Sequence, residues 1–354
     1  MKSVFFGAYF LSILSFSLLI KAQQERYVVI TKRECNNTVN TEGYINSFKI
    51  GNLHGFITTN KSSVDYSNVV SIEEDIEIKI NNNKCRPNDT LIQTSPTWGL
   101  DRIDQRNSVL DSKYHYNVLA GKDSNVFVID TGVDVKHPEF EGRAIIGSNF
   151  IDDNPDDCNG HGTHVAGTIA SKTYGVAKKT NIISIKVLDC SGSGTLSSLI
   201  SGLEYAYNYN IKNKIVNMSL GASFSQAINS VVEQLTQNGV HVIVAAGNES
   251  ADACNYSPAS EPSAMTVKAS DPNDSLTWFS NRGKCTDITA PGLNILSTLP
   301  NNSTGKYSGT SQATPHVSGV YALYVTKYGN DSPANIKNKI TSIVSNSEIL
   351  FSLI

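Results

Sequence analysis

The chain is expected to fold as an α/β protein whose main domain is a doubly wound, mostly parallel sheet flanked by helices, preceded by a small α+β module. Three observations lead there. Short, nearly continuous apolar runs recur at residues 125–130, 182–188, 215–220 and 240–245, and such runs suit strands buried on both faces, the habit of parallel sheets. Helix-like segments alternate with them at 161–171, 196–208 and 225–238. Alternation of this kind winds a sheet from both sides and places its sites at the carboxyl ends of the strands. Upstream of Asn81 the pattern changes to a mostly β one.

In chain order, residues 4–20 follow Lys2 as the only long hydrophobic stretch, diluted by Ser12, Ser15 and Ser17. This reads as a secretory signal peptide cleaved after Ala22 rather than as an anchor. No later segment is long and apolar enough to span a bilayer, so a secreted, soluble product with no membrane partner after cleavage is expected, with a cell wall or vacuole as alternative destinations. Strands are expected at 26–32, 56–59 and 69–72, and Ile76, Ile78 and Ile80 alternate with Glu77 and Lys79 as in a half-buried strand. Little room for a helix remains between Asn60 and Asn68. A polar stretch at 81–96, with Pro87, Asn88 and Asp89, reads as an exposed linker open to processing.

The 354 residues exceed one typical domain. With 40% apolar and 17% charged residues and a net charge of −3, the chain carries neither a nucleic-acid footprint nor the balance of a disordered acidic chain. Six cysteines on a secretory route are expected to be oxidised. Fifteen pairings are open in principle. Cys35 and Cys85 lie in the N-terminal region, whereas Cys158, Cys190, Cys254 and Cys285 lie in the main one. Bonds confined to each region favour Cys158 with Cys190 and Cys254 with Cys285, each closing a loop of about thirty residues and stabilising by roughly 3 to 4 kcal/mol. The competing four-cysteine zinc site lacks any Cys-x-x-Cys pair.

Four positions bear on chemistry. Asp130 closes an apolar strand, where a carboxylate is costly without a dedicated partner. His161 and His164 sit among small residues leading into a helix; two histidines at that spacing suit a metal, but no third ligand is near. Asn248 follows Ala245, Ala246 and Gly247 in what is by itself a turn. Ser311 lies in Gly309-Thr-Ser-Gln-Ala-Thr-Pro-His-Val-Ser-Gly319, which delivers a serine to a helix start. Alone it reads as a cap. Unpaired N–H groups there also favour the oxyanion of an acyl-transfer intermediate. The order Asp, His, Asn, Ser on an α/β chain supplies an orienting acid, a base, an oxyanion donor and a nucleophile.

These blocks, together with Asn217-Met-Ser-Leu-Gly221, resemble the signatures of the subtilisin-like serine proteases (peptidase S8 family). Residues 98–103 (Trp-Gly-Leu-Asp-Arg-Ile) and 255–262 (Asn-Tyr-Ser-Pro-Ala-Ser-Glu-Pro) are similar to the proteinase K branch, and 27–30, 50–55 and 72–75 to its inhibitor-type (I9-like) propeptide. The resemblance implies a signal peptide at 1–22, a propeptide at 23–90 and a catalytic domain at 91–354. It implies Ser311 as nucleophile, His161 as general base and then acid, Asp130 as the group orienting the imidazole, and the Asn248 side chain with the Ser311 N–H as oxyanion hole. His164 becomes a structural neighbour. Ser219, Leu220, Gly221, Ala245, Ala246 and Gly247 are implied to line a roomy specificity pocket, and Gly192, Ser193 and Gly194 to pair with extended substrate. The carbonyls of Pro262 and Ala264 with the Asp287 carboxylate are implied as ligands of a structural calcium; catalysis needs no cofactor.

The resemblance therefore implies a secreted, monomeric serine endopeptidase, made as a zymogen, acting on proteins or peptides with an apolar or aromatic lean. Its own propeptide is the implied intramolecular inhibitor, and activity falls below about pH 6 as His161 protonates. Glycans are best placed at Asn36, Asn88, Asn301 and Asn302. Two residues depart from the family pattern: Gln312 where methionine is usual, and Val165 where the branch often has cysteine. Gln312 beside the nucleophile keeps open a second reading, a weak or silent relative that binds peptides or serves a wall or matrix.

Overall fold

The computed structural model describes residues 25–31, 43–50, 53–74, 90–344 and 349–350. The chain divides into two compact units, residues 1–84 and 85–354. The expected signal peptide, the strand around Ile76 to Ile80, Cys35, Cys85, Asn36 and Asn88 lie outside the described residues.

In the first unit, β1 (Tyr27–Thr31), β2 (Tyr44–Ile50), β3 (Leu53–Thr58) and β4 (Val69–Glu74) form an antiparallel sheet in the order β2-β3-β1-β4. Val29 on the central strand faces Phe56 on one side and Ile72 on the other. Val29, Phe56 and Val64 are its buried core. The helical part amounts, among the described residues, to two 3-10 turns, Lys61–Ser63 and Tyr66–Asn68, capped by the side chains of Asn60 and Asp65. β2 was not expected from sequence, because Tyr44, Asn46, Ser47 and Lys49 mask any apolar alternation.

The second unit opens with β5 (Thr90–Thr94), paired antiparallel with β6 (Lys113–Asn117) around α1 (Trp98–Ile103). Its centre is a seven-stranded sheet. β7 (Asn125–Asp130), β8 (Ala144–Asn149), β9 (Asn181–Lys186), β10 (Lys214–Met218), β12 (His241–Ala245), β14 (Met265–Ser270) and β15 (Ile288–Pro291) lie in the order β15-β14-β12-β10-β7-β9-β8. Every pairing is parallel. Between them run α2 (His161–Ala170), α3 (Leu196–Asn208) and α4 (Gln226–Gln237), with a two-stranded pair, β11 (Ala222–Ser223) and β13 (Tyr256–Ser257). A hairpin, β16 (Ile295–Leu299) and β17 (Ser303–Tyr307), leads into α5 (Thr310–Tyr328) and α6 (Pro333–Ile343).

β7 shows why the apolar runs are continuous. Val126 and Val128 join Val165, Ile169, Val317 and Val320 of α2 and α5 in one core cluster. Phe127 and Ile129 join Leu203 and Val232 of α3 and α4 in another. Successive side chains of a strand point to opposite faces, so a strand covered on both sides must be apolar throughout. The helices start where their caps stop the chain: Thr195 and Ser198 form a reciprocal capping box at α3, and Ser225 accepts from the Ile228 N–H at α4. Disulfides join Cys158 to Cys190 and Cys254 to Cys285, with Cα–Cα distances of 5.0 and 5.3 Å. Among the described residues no helix is long and apolar enough to cross a membrane.

Candidate active site

Asp130 is the last residue of β7, at the carboxyl end of the central sheet, and is fully buried. Its Oδ1 accepts the Thr131 N–H at 2.8 Å and lies 2.8 Å from Nδ1 of His161. An ionised carboxylate only accepts, so Nδ1 carries the proton and Nε2 is left as an acceptor facing the cleft. His161 opens α2, and glycine permits the approach: a Cβ on Gly162 would collide with the Gly132 carbonyl oxygen.

The start of α2 is fixed by Asp157. Its Oδ1 accepts from the Gly160 N–H at 2.8 Å and from Thr131 Oγ1 at 2.9 Å. Its Oδ2 takes the Thr163 N–H at 2.9 Å and the Thr163 hydroxyl at 2.6 Å. Sequence reasoning missed this residue, which looks like one more acid in the polar stretch Asp152-Asp-Asn-Pro-Asp-Asp157. Burial pushes the His161 pKa down, but the charge of Asp130, its hydrogen bond and the charge of Asp157 together outweigh burial and hold it above its ordinary value. His164, by contrast, gives Nε2 to the Ile295 carbonyl at 2.9 Å and stacks on Tyr307. Burial holds its pKa down to about 4, so it is a neutral packing residue.

Ser311 is in the first turn of α5. Its hydroxyl donates to the Ser219 carbonyl at 2.9 Å, and the Ser219 hydroxyl donates back to the Ser311 carbonyl at 2.8 Å. Pro315 makes this clasp available: it has no N–H to give the carbonyl four residues earlier, so that of Ser311 is free for Ser219. The structure thus joins Asp130 to His161 and Ser311 to Ser219; among the described residues no hydrogen bond joins Ser311 Oγ to His161. Asn248 Oδ1 accepts from the Thr310 N–H at 2.9 Å and the Thr310 hydroxyl at 3.0 Å. That fixes the amide and leaves Nδ2 as its remaining donor.

Two adjoining recesses carry the expected lining. One, of about 650 Å³, is bounded by His161, Gly192, Ser193, Gly194, Ser219 and Leu220. The other, of about 400 Å³, is bounded by Ala245, Ala246, Gly247, Asn248, Glu249 and Ser311. They share Leu220, Gly221 and Ala222. Glu249 was not expected; its Oε2 accepts from Asn281 Nδ2 at 2.6 Å. Gly192, Ser193 and Gly194 are exposed and lie outside any strand. Cys158–Cys190 and the 2.9 Å bond from Asn159 Nδ2 to the Cys190 carbonyl tie their loop to the segment before His161.

Gln312 is buried behind the serine, and its Nε2 has no partner among the described residues. A buried donor left unpaired costs about 1–3 kcal/mol. Gln312→Met, close in size, is therefore expected to raise stability by roughly 1 kcal/mol and to introduce sensitivity to dilute peroxide that the parent lacks. Thermal unfolding and residual activity after peroxide check the two halves; a parent as peroxide-sensitive as the variant contradicts the second.

The three oxygens implied as calcium ligands do converge, but on a side chain. Nζ of Lys337 lies 2.8 Å from the Pro262 carbonyl, 2.5 Å from the Ala264 carbonyl and 2.8 Å from Asp287 Oδ2. As the residues stand, this donor set holds an ammonium and does not fit a calcium ion.

Residues 121–349 match the model of the subtilase family of peptidases. The chain is 48% identical over 265 residues to subtilisin-like protease 7 of Arthroderma otae, an alignment covering 73% of this chain and 64% of that protein. It is 46% identical over 259 residues to alkaline serine exoprotease A of Vibrio alginolyticus, covering 73% of this chain and 48% of that protein. A crystal structure of a cold-adapted subtilisin-like serine proteinase superposes with a TM-score of 0.71 at 45% identity, over 74% of this chain and 100% of that one. The chain thus spans just under two thirds of the length of the first of these relatives. With the parallel sheet, the Asp130–His161 pair and the α5 serine on the same frame, the chain belongs to the subtilase family.

Proposed function

We propose that this protein is a secreted serine endopeptidase, made as a zymogen, that cleaves proteins and peptides through an acyl-enzyme on Ser311. The observation that carries this reading is the 2.8 Å contact between His161 Nδ1 and Asp130 Oδ1, which leaves Nε2 as a base beside the cleft. Rotation of Ser311 about its Cα–Cβ bond exchanges the Ser219 carbonyl for His161 Nε2 as acceptor, and catalytic hydrogen bonds often form only with substrate bound. His161 then takes the hydroxyl proton as Oγ attacks the scissile carbonyl carbon. The oxyanion is held by Asn248 Nδ2 and the Ser311 N–H. The imidazolium, stabilised by Asp130, gives its proton to the leaving amine, and water repeats the sequence to free the acid.

Leu220, Ala245 and Ala246 favour an apolar or aromatic side chain in the pocket, and the exposed backbone of 192–194 suits pairing with an extended substrate. Residues 23–90 act as the propeptide, removed near Thr90, and the mature enzyme works as a monomer. Hydrolysis of a peptide with an aromatic residue before the scissile bond, by the secreted protein and by Ser311→Ala, tests this; equal rates contradict it. The base must be neutral, and the His161 pKa lies above its ordinary value. kcat/KM is therefore expected to fall as pH drops through a value above about 6.5, higher than an unperturbed histidine gives. A pH profile checks this, and a flat profile down to pH 4 contradicts His161 as base.

A further inference from the structure

We propose that Lys337 is a built-in cation that has replaced a metal ion at the edge of the catalytic sheet, so that this fold is locked without calcium there. The site draws on three separated segments: the turn at Pro262 and Ala264 before β14, Asp287 before β15, and α6. An ammonium has three N–H donors and no acceptor. Here each donor has one oxygen, two carbonyls and a carboxylate. Calcium takes six to eight oxygens, and the position where it would sit already holds Nζ. The charge agrees too: one carboxylate is neutralised by one ammonium, whereas a divalent ion leaves an excess.

The lysine is held in place by its neighbours. Ile336 and Ile340 of α6 are buried in the main core, and the Lys337 side chain is only 16% exposed. Asp287 is held as well, its Oδ2 accepting the Thr266 N–H at 2.8 Å. The ammonium therefore ties α6 to β14 and to β15, the outermost strand at one end of the sheet. A tethered cation costs no ion-binding step and is not removed by chelators. The metal-dependent tie becomes a permanent one.

Thermal unfolding of the full chain, carrying Ser311→Ala against self-digestion, tests this in millimolar calcium and in excess chelator. Lys337→Ala is expected to lower Tm in chelator by about 5–10 °C and to gain a calcium-dependent rise of several degrees beyond any shown by the parent. Adding Asp287→Asn to that variant is expected to abolish the gained rise. Destabilisation without calcium rescue reduces Lys337 to an ordinary ion pair and overturns the proposal, as does an unchanged Tm. Should Lys337→Ala not fold, Asp287→Asn in the parent decides. An unaltered calcium response supports the proposal, and a lost one shows that calcium, not Lys337, holds these oxygens.

Discussion

Replacing His161 with alanine is expected to lower kcat on a peptide substrate by about 10⁶, with KM little changed, a loss of the size known for subtilisin itself. Ser311 Oγ donates to the Ser219 carbonyl, which can orient a hydroxyl but not accept its proton. Among the groups lining the two recesses, only His161 is held as an acceptor with its far nitrogen on a buried carboxylate. Ser311→Ala is expected to be as severe, and the double variant no worse, because the two act as one unit. Asp130→Asn keeps the shape but favours the wrong tautomer, and about 10⁴ is expected to go with it. Steady-state kinetics at protein concentrations fixed by absorbance measures all four. Near-additive losses in the double variant contradict the shared role.

Removal of the Asn248 donor has the next largest expected effect, a loss in kcat of about 10² to 10³, the range found for the corresponding donor in subtilisin. Alanine is a blunt test, since Asn248 Oδ1 also accepts two hydrogen bonds from Thr310. Asn248→Asp keeps an oxygen for both bonds from Thr310, removes the Nδ2 donor and sets a carboxylate beside the developing oxyanion. It is expected to lose kcat to at least the same degree while its unfolding temperature stays near that of the parent. A loss confined to KM contradicts an oxyanion role, because that bond strengthens only as charge develops.

The parts of this fold legible in sequence were those in which one physical cause dominates. β7 is buried on both faces, so Val126 to Ile129 stand out as an apolar run leading to Asp130. α3 is bounded by a capping box and is found at its full length, 196–208. β8 escaped because it lies at the edge of the sheet, with Ile145 and Ile146 half exposed and Gly147 among them. In the site, the small-residue blocks around Asp130, His161, Asn248 and Ser311 are local and hence visible. Asp157 and Lys337 are not. Asp157 acts through five hydrogen bonds that exist only once the loop has folded onto α2. Lys337 meets oxygens 50 to 75 residues away in sequence, as its contacts with Asp287 and Pro262 show. Its place on a polar, partly exposed helix looks like any solvated lysine.

The proposed activity requires Ser311 to be a nucleophile activated by His161. Treatment of the secreted protein with a serine-directed phosphonate, followed by mass spectrometry, tests it most directly. Stoichiometric phosphonylation of Ser311 is predicted in the mature protein, lost in His161→Ala and absent in Ser311→Ala. A mature wild-type protein that stays unlabelled, or labelling equal in all three proteins, contradicts a nucleophilic Ser311.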